Sequence, residues 1–251
     1  MSELVSGLPA EKRIILAIDK SEKKQAEELA ELAHDAGAYV VKLGLEISSA
    51  TSWKTCSKIA KSNNLDWVAD AKIDDISNTT EGIMKNLARL KHPPVGVTIH
   101  TNSGLKSMEA AQAIAEKEGM KMLAVTHLTG IEDEETKMTY GFLRKTLVKR
   151  RALQAARAGI GGLVASPREI AKPLKSTSEL VDMFTMIPGT RSPGADAHDQ
   201  KNALTPYNAI VAGADTLVIG RQVTESSDPS AEFMLVAQEI DLALKVVKGE
   251  I

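Results

Sequence analysis

The chain alternates short runs of apolar, often β-branched residues with longer segments whose apolar residues recur at helical spacing. Short apolar runs bounded by polar turns are typical of buried parallel strands, and spacings of three and four are typical of helices. We predict strands at Arg13–Ile18, Ala38–Leu43, Trp67–Lys72, Val95–His100, Lys121–Thr126, Gly161–Ala165, Asp182–Ile187 and Thr216–Ile219. We predict helices at Ser21–Ala36, Thr79–Leu90, Ser103–Glu118, Glu132–Ala158, Ala203–Ala212 and Ala231–Val247.

Eight strands that alternate with helices along 251 residues fit a (β/α)8 TIM barrel in length and in element count. A doubly wound open sheet is the alternative, but it usually carries a glycine-rich turn after its first strand. The segment Ala17–Ser21 has no glycine. Because the chain shows neither a linker nor an internal repeat, we expect a single domain over residues 1–251.

Polar residues stand at the ends of most predicted strands. They are Asp19, Lys42, Asp70 with Lys72, and His100 at the ends of strands one to four, and Thr126 with Thr129, and Ser166, after strands five and six. The segments after strands seven and eight are Pro188-Gly189 and Gly220-Arg221. In a barrel all of these positions converge on the carboxyl-terminal mouth, where such enzymes hold their active sites. The sequence therefore predicts a site at this mouth.

The charges Lys42, Asp70, Lys72 and Asp75 alternate in sign. Side chains two apart on a strand share a face, so Asp70 and Lys72 are expected to point the same way. Neighbouring carboxylates favour the protonated form of a lysine, which can then serve as a general acid. We interpret the four residues as a catalytic array.

Two further segments predict a phosphate site. Pro188 and Gly189 with Arg191 follow the seventh strand, and Gly220 with Arg221 follows the eighth. Loops at these two positions commonly bind phosphate through backbone N–H groups, and arginine offers a planar fork to phosphate oxygens. The polar stretch 189–200 is predicted to be a lid over that phosphate.

Composition narrows the function classes. The 31 Lys and Arg residues nearly balance 33 Asp and Glu, which gives no general attraction to nucleic acid or to a membrane surface. Cys56 is the only cysteine, and the histidines lack metal-ligand spacing, so we expect no intramolecular disulfide and no metal site. Because no segment has the pattern of a signal peptide or of a membrane span, we expect a cytoplasmic protein.

The motifs resemble those of the orotidine 5'-phosphate decarboxylase family along nearly the whole chain. The segment 70–79, Asp-Ala-Lys-Ile-Asp-Asp-Ile-Ser-Asn-Thr, looks like the catalytic motif of that family. Leu16–Asp19 and Val41–Gly44 look like its first two strand ends. Pro188–Arg191, Asp199–Gln200, Leu204–Pro206 and Val218–Arg221 resemble its lid and the segments that follow.

The resemblance implies a (β/α)8 barrel that converts orotidine 5'-phosphate to uridine 5'-phosphate and CO2 without metal or cofactor. Lys72 would deliver a proton to C6 of the pyrimidine, and Asp70 would lie against the departing carboxylate. Asp19 and Lys42 match residues of the ribose contact or charge network, and Thr129 matches a pyrimidine contact. Gln200 matches the lid glutamine that bridges phosphate and base, and Arg191 and Arg221 match phosphate-binding arginines.

The resemblance also implies a homodimer, because Asp75 and Thr79 match residues that act in the neighbouring subunit's site. Three positions depart from the family pattern: Asp74 stands in place of histidine or phenylalanine, Ser77 in place of proline or glycine, and Thr190 in place of an apolar residue. These departures bear on the dimer contact and on the shape of the lid.

Two rival functions remain open at this point. The first is a magnesium-dependent sugar-phosphate lyase, such as hexulose-phosphate synthase, which shares the aspartate–lysine–aspartate motif but has a glutamate metal ligand where this chain has Lys42. A lysine there would repel a divalent cation. The second rival is a barrel that binds nucleotides without catalysing a reaction.

Overall fold

A computed structural model of the protein describes residues 7–194 and 204–251. Its strands are β1 (Ile14–Ile18), β2 (Val40–Gly44), β3 (Asp66–Ile73), β4 (Gly96–His100), β5 (Lys121–Val125), β6 (Gly162–Val164), β7 (Phe184–Pro188) and β8 (Thr216–Ile219). Every neighbouring pair is parallel, and β1 pairs with β8 to close the barrel in chain order. The predicted (β/α)8 barrel is confirmed.

Alternation along the strands separates two cores. Residues that point into the barrel form one small apolar cluster, which comprises Ile15, Ala17, Val68, Leu123, Val125, Val164, Met186 and Val218. Residues of opposite parity, such as Leu16, Val97 and Ile187, pack outward against the helices in the larger core. Because the inward and the outward layers are both largely apolar, the strands appear in the sequence as nearly continuous hydrophobic runs.

The helices are α1 (Lys23–Asp35), α2 (Leu45–Ala50), α3 (Trp53–Ser62), α4 (Ser77–Ala88), α5 (Leu105–Glu118), α6 (Asp133–Tyr140), α7 (Arg144–Arg157), α8 (Pro206–Val211), α9 (Arg221–Thr224) and α10 (Pro229–Lys248). Short 3-10 turns lie at Ala10–Arg13, Thr101–Ser103 and Pro167–Glu169, and a π-helical turn lies at Ile170–Leu174. The described residues contain no helix long and apolar enough to cross a membrane.

The prediction of one helix over Glu132–Ala158 was wrong. The segment contains two helices, because Gly141 adopts a left-handed conformation (φ +74°) that ends α6. The backbone N–H of Arg144 then donates to the Asp133 carboxylate, which anchors the start of α7 to the start of α6. The helices α2 and α3 were not predicted, and α8 begins at Pro206, inside the predicted Ala203–Ala212.

The pairing of β3 with β4 is irregular at its mouth end. Ala69 pairs with Val97 and Ile73 pairs with Ile99, so β3 advances four residues while β4 advances two. The two extra residues form a bulge, and within it Lys72 has φ +43°. A residue other than glycine in this region costs about 1–3 kcal/mol and is held there only by surrounding contacts.

Candidate active site

The parity of the barrel interior places polar residues at the mouth. Continuing the inward-facing positions beyond the apolar cluster leads to Asp19 just after β1, Lys42 on β2, Asp70 on β3 and Thr98 on β4. On the opposite wall the same parity leads to Pro188 at the end of β7 and Gly220 just after β8. The apolar layer therefore forms the floor of a polar site, as in other barrels.

Four of the predicted residues form a continuous chain of ion pairs. Lys42 Nζ lies 3.0 Å from Asp19 Oδ1 and 3.0 Å from Asp70 Oδ2. Lys72 Nζ lies 2.7 Å from the same Asp70 Oδ2. The prediction that Asp70 and Lys72 point the same way is therefore confirmed, although the bulge, and not regular alternation, sets their final contact.

Burial and charge set the protonation states of this chain. Burial alone would raise the pKa of Asp70, but the Lys42 and Lys72 ammonium groups lower it to about 2. Burial opposes the charge of Lys42, yet Asp70 and Asp19 outweigh it, and the pKa of Lys42 is raised. Asp70 is thus a carboxylate and Lys42 a cation at neutral pH, so the buried pair carries no net charge.

Exposure distinguishes the two lysines. The side chain of Lys42 is 11% exposed and that of Asp70 is 9% exposed, whereas the side chain of Lys72 is 37% exposed. Gly44 lies opposite Asp70 on β2, and a Cβ there would stand 3.6 Å from both Asp70 Cβ and Lys42 Nζ. Lys72 is the cation of this cluster that reaches the open mouth.

Asp75 and Thr79 do not join this chain of charges. Both are exposed at the start of α4, and within the described ranges the Asp75 carboxylate accepts one hydrogen bond, from the backbone N–H of Ile76. The carbonyl of Asp75 accepts a hydrogen bond from the Ser107 hydroxyl at 2.8 Å. The backbone is thus fixed while the Asp75 side chain faces outward, together with Ile76, which is 70% exposed.

The predicted phosphate loops are neighbours, because β7 pairs with β8. Gly189 has φ +86°, the backbone N–H of Ser192 donates to Gln222 Oε1 at 3.1 Å, and Gln222 follows Arg221 directly. Arg221 and residues 192–194 line a cavity of about 860 Å³ that extends along α10. The predicted lid residue Gln200 and the rest of segment 195–203 lie outside the described residues.

The loop after β5, which carries Thr129, is held by buried residues that the sequence did not reveal. Thr129 is half-buried, and Arg144 Nη1 donates to the carbonyls of Leu128, at 3.0 Å, and Ile131. Arg144 also forms an ion pair with Glu169. In a sequence, arginines on a predicted helix indicate a solvent-exposed face. Only the tertiary contacts show that Arg144 is buried and holds this loop in place.

His127 lies in the same loop, and its imidazole is neutral. The Thr136 hydroxyl donates to Glu132 O, so it can only accept from His127 Nε2, 2.9 Å away. The other ring nitrogen, Nδ1, then accepts from Arg151 at 3.3 Å. Burial, followed by the charges of Arg144 and Arg151, lowers the pKa of His127 to about 4.

Lysines and aspartates gathered at the carboxyl ends of a closed (β/α)8 barrel define a barrel enzyme. The chain belongs to the Orotidine 5'-phosphate decarboxylase / HUMPS family, whose family model matches residues 12–234. It is 36% identical over 238 residues to orotidine 5'-phosphate decarboxylase of Bradyrhizobium sp. strain BTAi1, covering 94% of each chain. It is 33% identical over 243 residues to that of Moorella thermoacetica, covering 93% of this chain and 94% of the relative.

Solved structures agree. The crystal structure of orotidine 5'-phosphate decarboxylase from Lactobacillus acidophilus superposes with a TM-score of 0.76 at 26% identity, covering 92% of this chain and 99% of that one. An uncharacterized conserved protein from Geobacillus kaustophilus gives a TM-score of 0.73 at 25% identity, covering 90% and 99%. The family resemblance deduced from the motifs is confirmed.

Proposed function

We propose that the protein decarboxylates orotidine 5'-phosphate to uridine 5'-phosphate and CO2, a step of pyrimidine biosynthesis, without metal or cofactor. The ion-pair chain from Asp19 through Lys42 and Asp70 to Lys72 is the observation that carries the proposal. Family membership and the names of the relatives support the substrate.

In the proposed reaction the bond between C6 and the carboxylate carbon breaks, and its electron pair stays on C6 while CO2 leaves. The ammonium group of Lys72 gives its proton to C6, and the resulting amine recovers a proton from solvent. Lys72 is suited to this role because it is fixed by Asp70 and still reaches the mouth. Fixed charges need no reorganisation as charge develops on C6.

Asp70 would lie against the substrate carboxylate while its own charge is held by Lys42, Lys72 and Thr98. Two carboxylates in contact disfavour the bound substrate relative to the neutral CO2 that leaves. Thr129 would contact the pyrimidine. Pro188, Gly189, Arg191, Gln200, Gly220 and Arg221 would bind the phosphate, with Gln200 bridging to the base.

The position of Lys42 disfavours the magnesium-dependent rival. Its ammonium group stands between Asp19 and Asp70, 3.0 Å from each, and so occupies the position in which two carboxylates would otherwise hold a cation. A metal would have to displace a buried, ion-paired lysine. This geometry supports metal-free chemistry.

The central experiment follows the loss of orotidine 5'-phosphate absorbance with purified protein, with and without chelator. We expect turnover that the chelator does not change, and a loss of at least about a thousandfold in Lys72→Ala. Lys85→Ala is the matched control, because Lys85 is an exposed lysine paired with Glu81 on α4. No turnover by the unmutated protein would refute the proposal, and rescue by magnesium after chelation would favour the sugar-phosphate rival.

We also propose that Asp75 and Thr79 act in the site of a partner subunit within a homodimer. Their exposure beside the apolar Ile76, and the fixed backbone of Asp75, suit contact with a second copy. In a mixture of Lys72→Ala and Asp75→Asn subunits, each mixed dimer would contain one intact site. Random pairing would restore about a quarter of the unmutated activity.

A second mixture serves as the control. Lys72→Ala mixed with Asp70→Asn should stay inactive, because Asp70 and Lys72 contact each other within one chain. If the mixture that contains Asp75→Asn also stays inactive although mixed dimers form, Asp75 does not act across the interface.

A further inference from the structure

Thr98 is a buried residue that connects the two central charged groups, and the sequence motifs do not include it. It lies on β4 and is fully buried. Its Oγ1 lies 2.9 Å from Asp70 Oδ1 and 2.8 Å from the backbone nitrogen of Lys72. It therefore lies opposite the bulge of β3, where β3 and β4 lose their regular pairing.

The direction of both hydrogen bonds is fixed by chemistry. The backbone N–H of Lys72 can only donate, so Thr98 Oγ1 accepts from it. The single hydroxyl proton of Thr98 is then free to reach Asp70, which is a carboxylate and can only accept. A relay runs from Lys72 N–H through Thr98 O–H to Asp70, and it closes a ring with the Lys72 ammonium on the other carboxylate oxygen.

This ring explains how Lys72 stays in its left-handed conformation. In a regular ladder its N–H would pair with a carbonyl of β4, but the bulge removes that partner. The Thr98 hydroxyl supplies an acceptor in its place and fixes the rotation of the Asp70 carboxylate with the same atom. The backbone and the side-chain partner of Lys72 are therefore set by one side chain.

We infer that Thr98 is a positioning residue for decarboxylation, which holds the Lys72 ammonium and the Asp70 carboxylate in their reactive arrangement without touching the substrate. The inference rests on the proposed roles of Asp70 and Lys72. Serine, which is smaller but keeps the hydroxyl, should preserve this arrangement. Valine, which has the shape of threonine but no hydroxyl, should not.

The test compares Thr98→Val, which removes only the hydroxyl, with Thr98→Ser, which retains it. An unpartnered buried N–H and a freed carboxylate should lower kcat of Thr98→Val about ten- to a hundredfold, with KM within about threefold. Thr98→Ser should recover kcat to within about threefold of the unmutated protein. Thr185→Val is the control, because Thr185 is a buried strand threonine that bonds Asp215 and not the charged array.

Equal kcat in Thr98→Val and the unmutated protein would overturn the inference, as would an equal fall in Thr98→Ser and Thr98→Val. A crystal structure of Thr98→Val tests the same point without turnover, so the inference can fail separately from the proposed function. We expect Lys72 to leave positive φ or its ammonium to leave Asp70. Retention of both features would overturn the inference, even if the unmutated protein proved inactive.

Discussion

Asp70 shows how single residues set the electrostatics of the mouth. Its carboxylate accepts from Lys42, Lys72 and Thr98, which between them occupy both oxygens. A buried charge without such partners would be neutralised by a shifted pKa, whereas here the pKa moves in the direction that preserves the charge. The array is therefore assembled by folding and does not wait for a ligand.

At the same scale, His127 should make stability depend on pH. Its pKa in the folded protein is about 4, below the usual value near 6.5, so the unfolded chain binds a proton first as pH falls. The stabilisation is complete above about pH 6.5 and is lost toward pH 4, with about 2 kcal/mol lost between pH 7 and pH 5. Urea unfolding at both pH values measures it.

The matched variant is His127→Gln, which keeps a polar side chain but does not titrate. The free energy of unfolding of the unmutated protein, measured relative to that of the variant, should fall by about 2 kcal/mol from pH 7 to pH 5. Only the unmutated chain has this titrating histidine. Parallel pH dependence of the two proteins would show that His127 is not held neutral.

Thr190, one of the three departures from the family pattern, should lower the stability of the fold. It is fully buried, and within the described residues its hydroxyl has no hydrogen-bond partner. Thr190→Val should therefore raise the free energy of unfolding by about 1 kcal/mol. Thr185→Val should lower it by a similar amount, because the Thr185 hydroxyl is bonded to Asp215. Denaturant midpoints for both variants distinguish two causes of a change in stability. Opposite shifts indicate that the hydrogen-bond partner of the hydroxyl decides the effect, and equal shifts indicate that the added methyl group does.

At the scale of elements, the strands were predictable and the bulge was not. All eight strands were located to within a few residues, because an apolar run flanked by polar turns is a local signal. Thr98 and the two extra residues of β3 leave no such signal, since threonine is a common strand residue and register depends on the neighbouring strand. The charged motif could be found because Asp70 and Lys72 lie two residues apart.

The break between α6 and α7 illustrates the same limit. Gly141 lies within a segment whose apolar spacing remains helical on both sides, and a glycine inside such a pattern is often tolerated. Gly141 ends α6, and the contacts of Arg144 with Glu169 and the β5 loop fix where α7 begins. A single sequence contains these two residues but not their contact.

The strands β5 and β6 approach each other closely at Gly162. A Cβ there would lie 2.6 Å from Leu123 Cδ2 and 2.9 Å from the carbonyl oxygen of Met122. Gly162→Ala should destabilise the barrel by about 1–3 kcal/mol, because the backbone of β5 would have to shift. Gly161→Ala is the control, since a Cβ at Gly161 meets nothing within 4 Å. Thermal unfolding of the two variants should differ, and equal melting temperatures would contradict the close approach.

At the scale of the whole molecule, the barrel presents Lys72 and Asp75 on different sides of one rim. Lys72 belongs to the interior array, whereas Asp75 and Ile76 face outward at the start of α4. In the proposed homodimer each site would be completed by a second copy. Activity would then be a property of the dimer and would obey mass action.

Dilution of the unmutated protein should therefore lower its activity per subunit several-fold once the concentration falls below the dimer dissociation constant. Initial rates over a concentration series, read beside sedimentation velocity, measure this. Added Lys72→Ala subunits should maintain the activity of the dilute protein, because they still supply Asp75. Subunits that carry both Lys72→Ala and Asp75→Asn should not, because they supply no Asp75 and have no Lys72 of their own, and equal rescue by both would contradict the shared site.

The bulge in β3 also makes the length of this segment a requirement. Four residues of β3 span the rise that two residues of β4 cover, and this slack gives Lys72 its contact with Asp70. Deleting one residue between Asp70 and Ile73 would reverse the facing of every residue that follows. Deleting two would restore even pairing, giving a more regular barrel that has lost Lys72. The barrel itself could thus accept some changes of length here that the arrangement of Lys72 beside Asp70 could not.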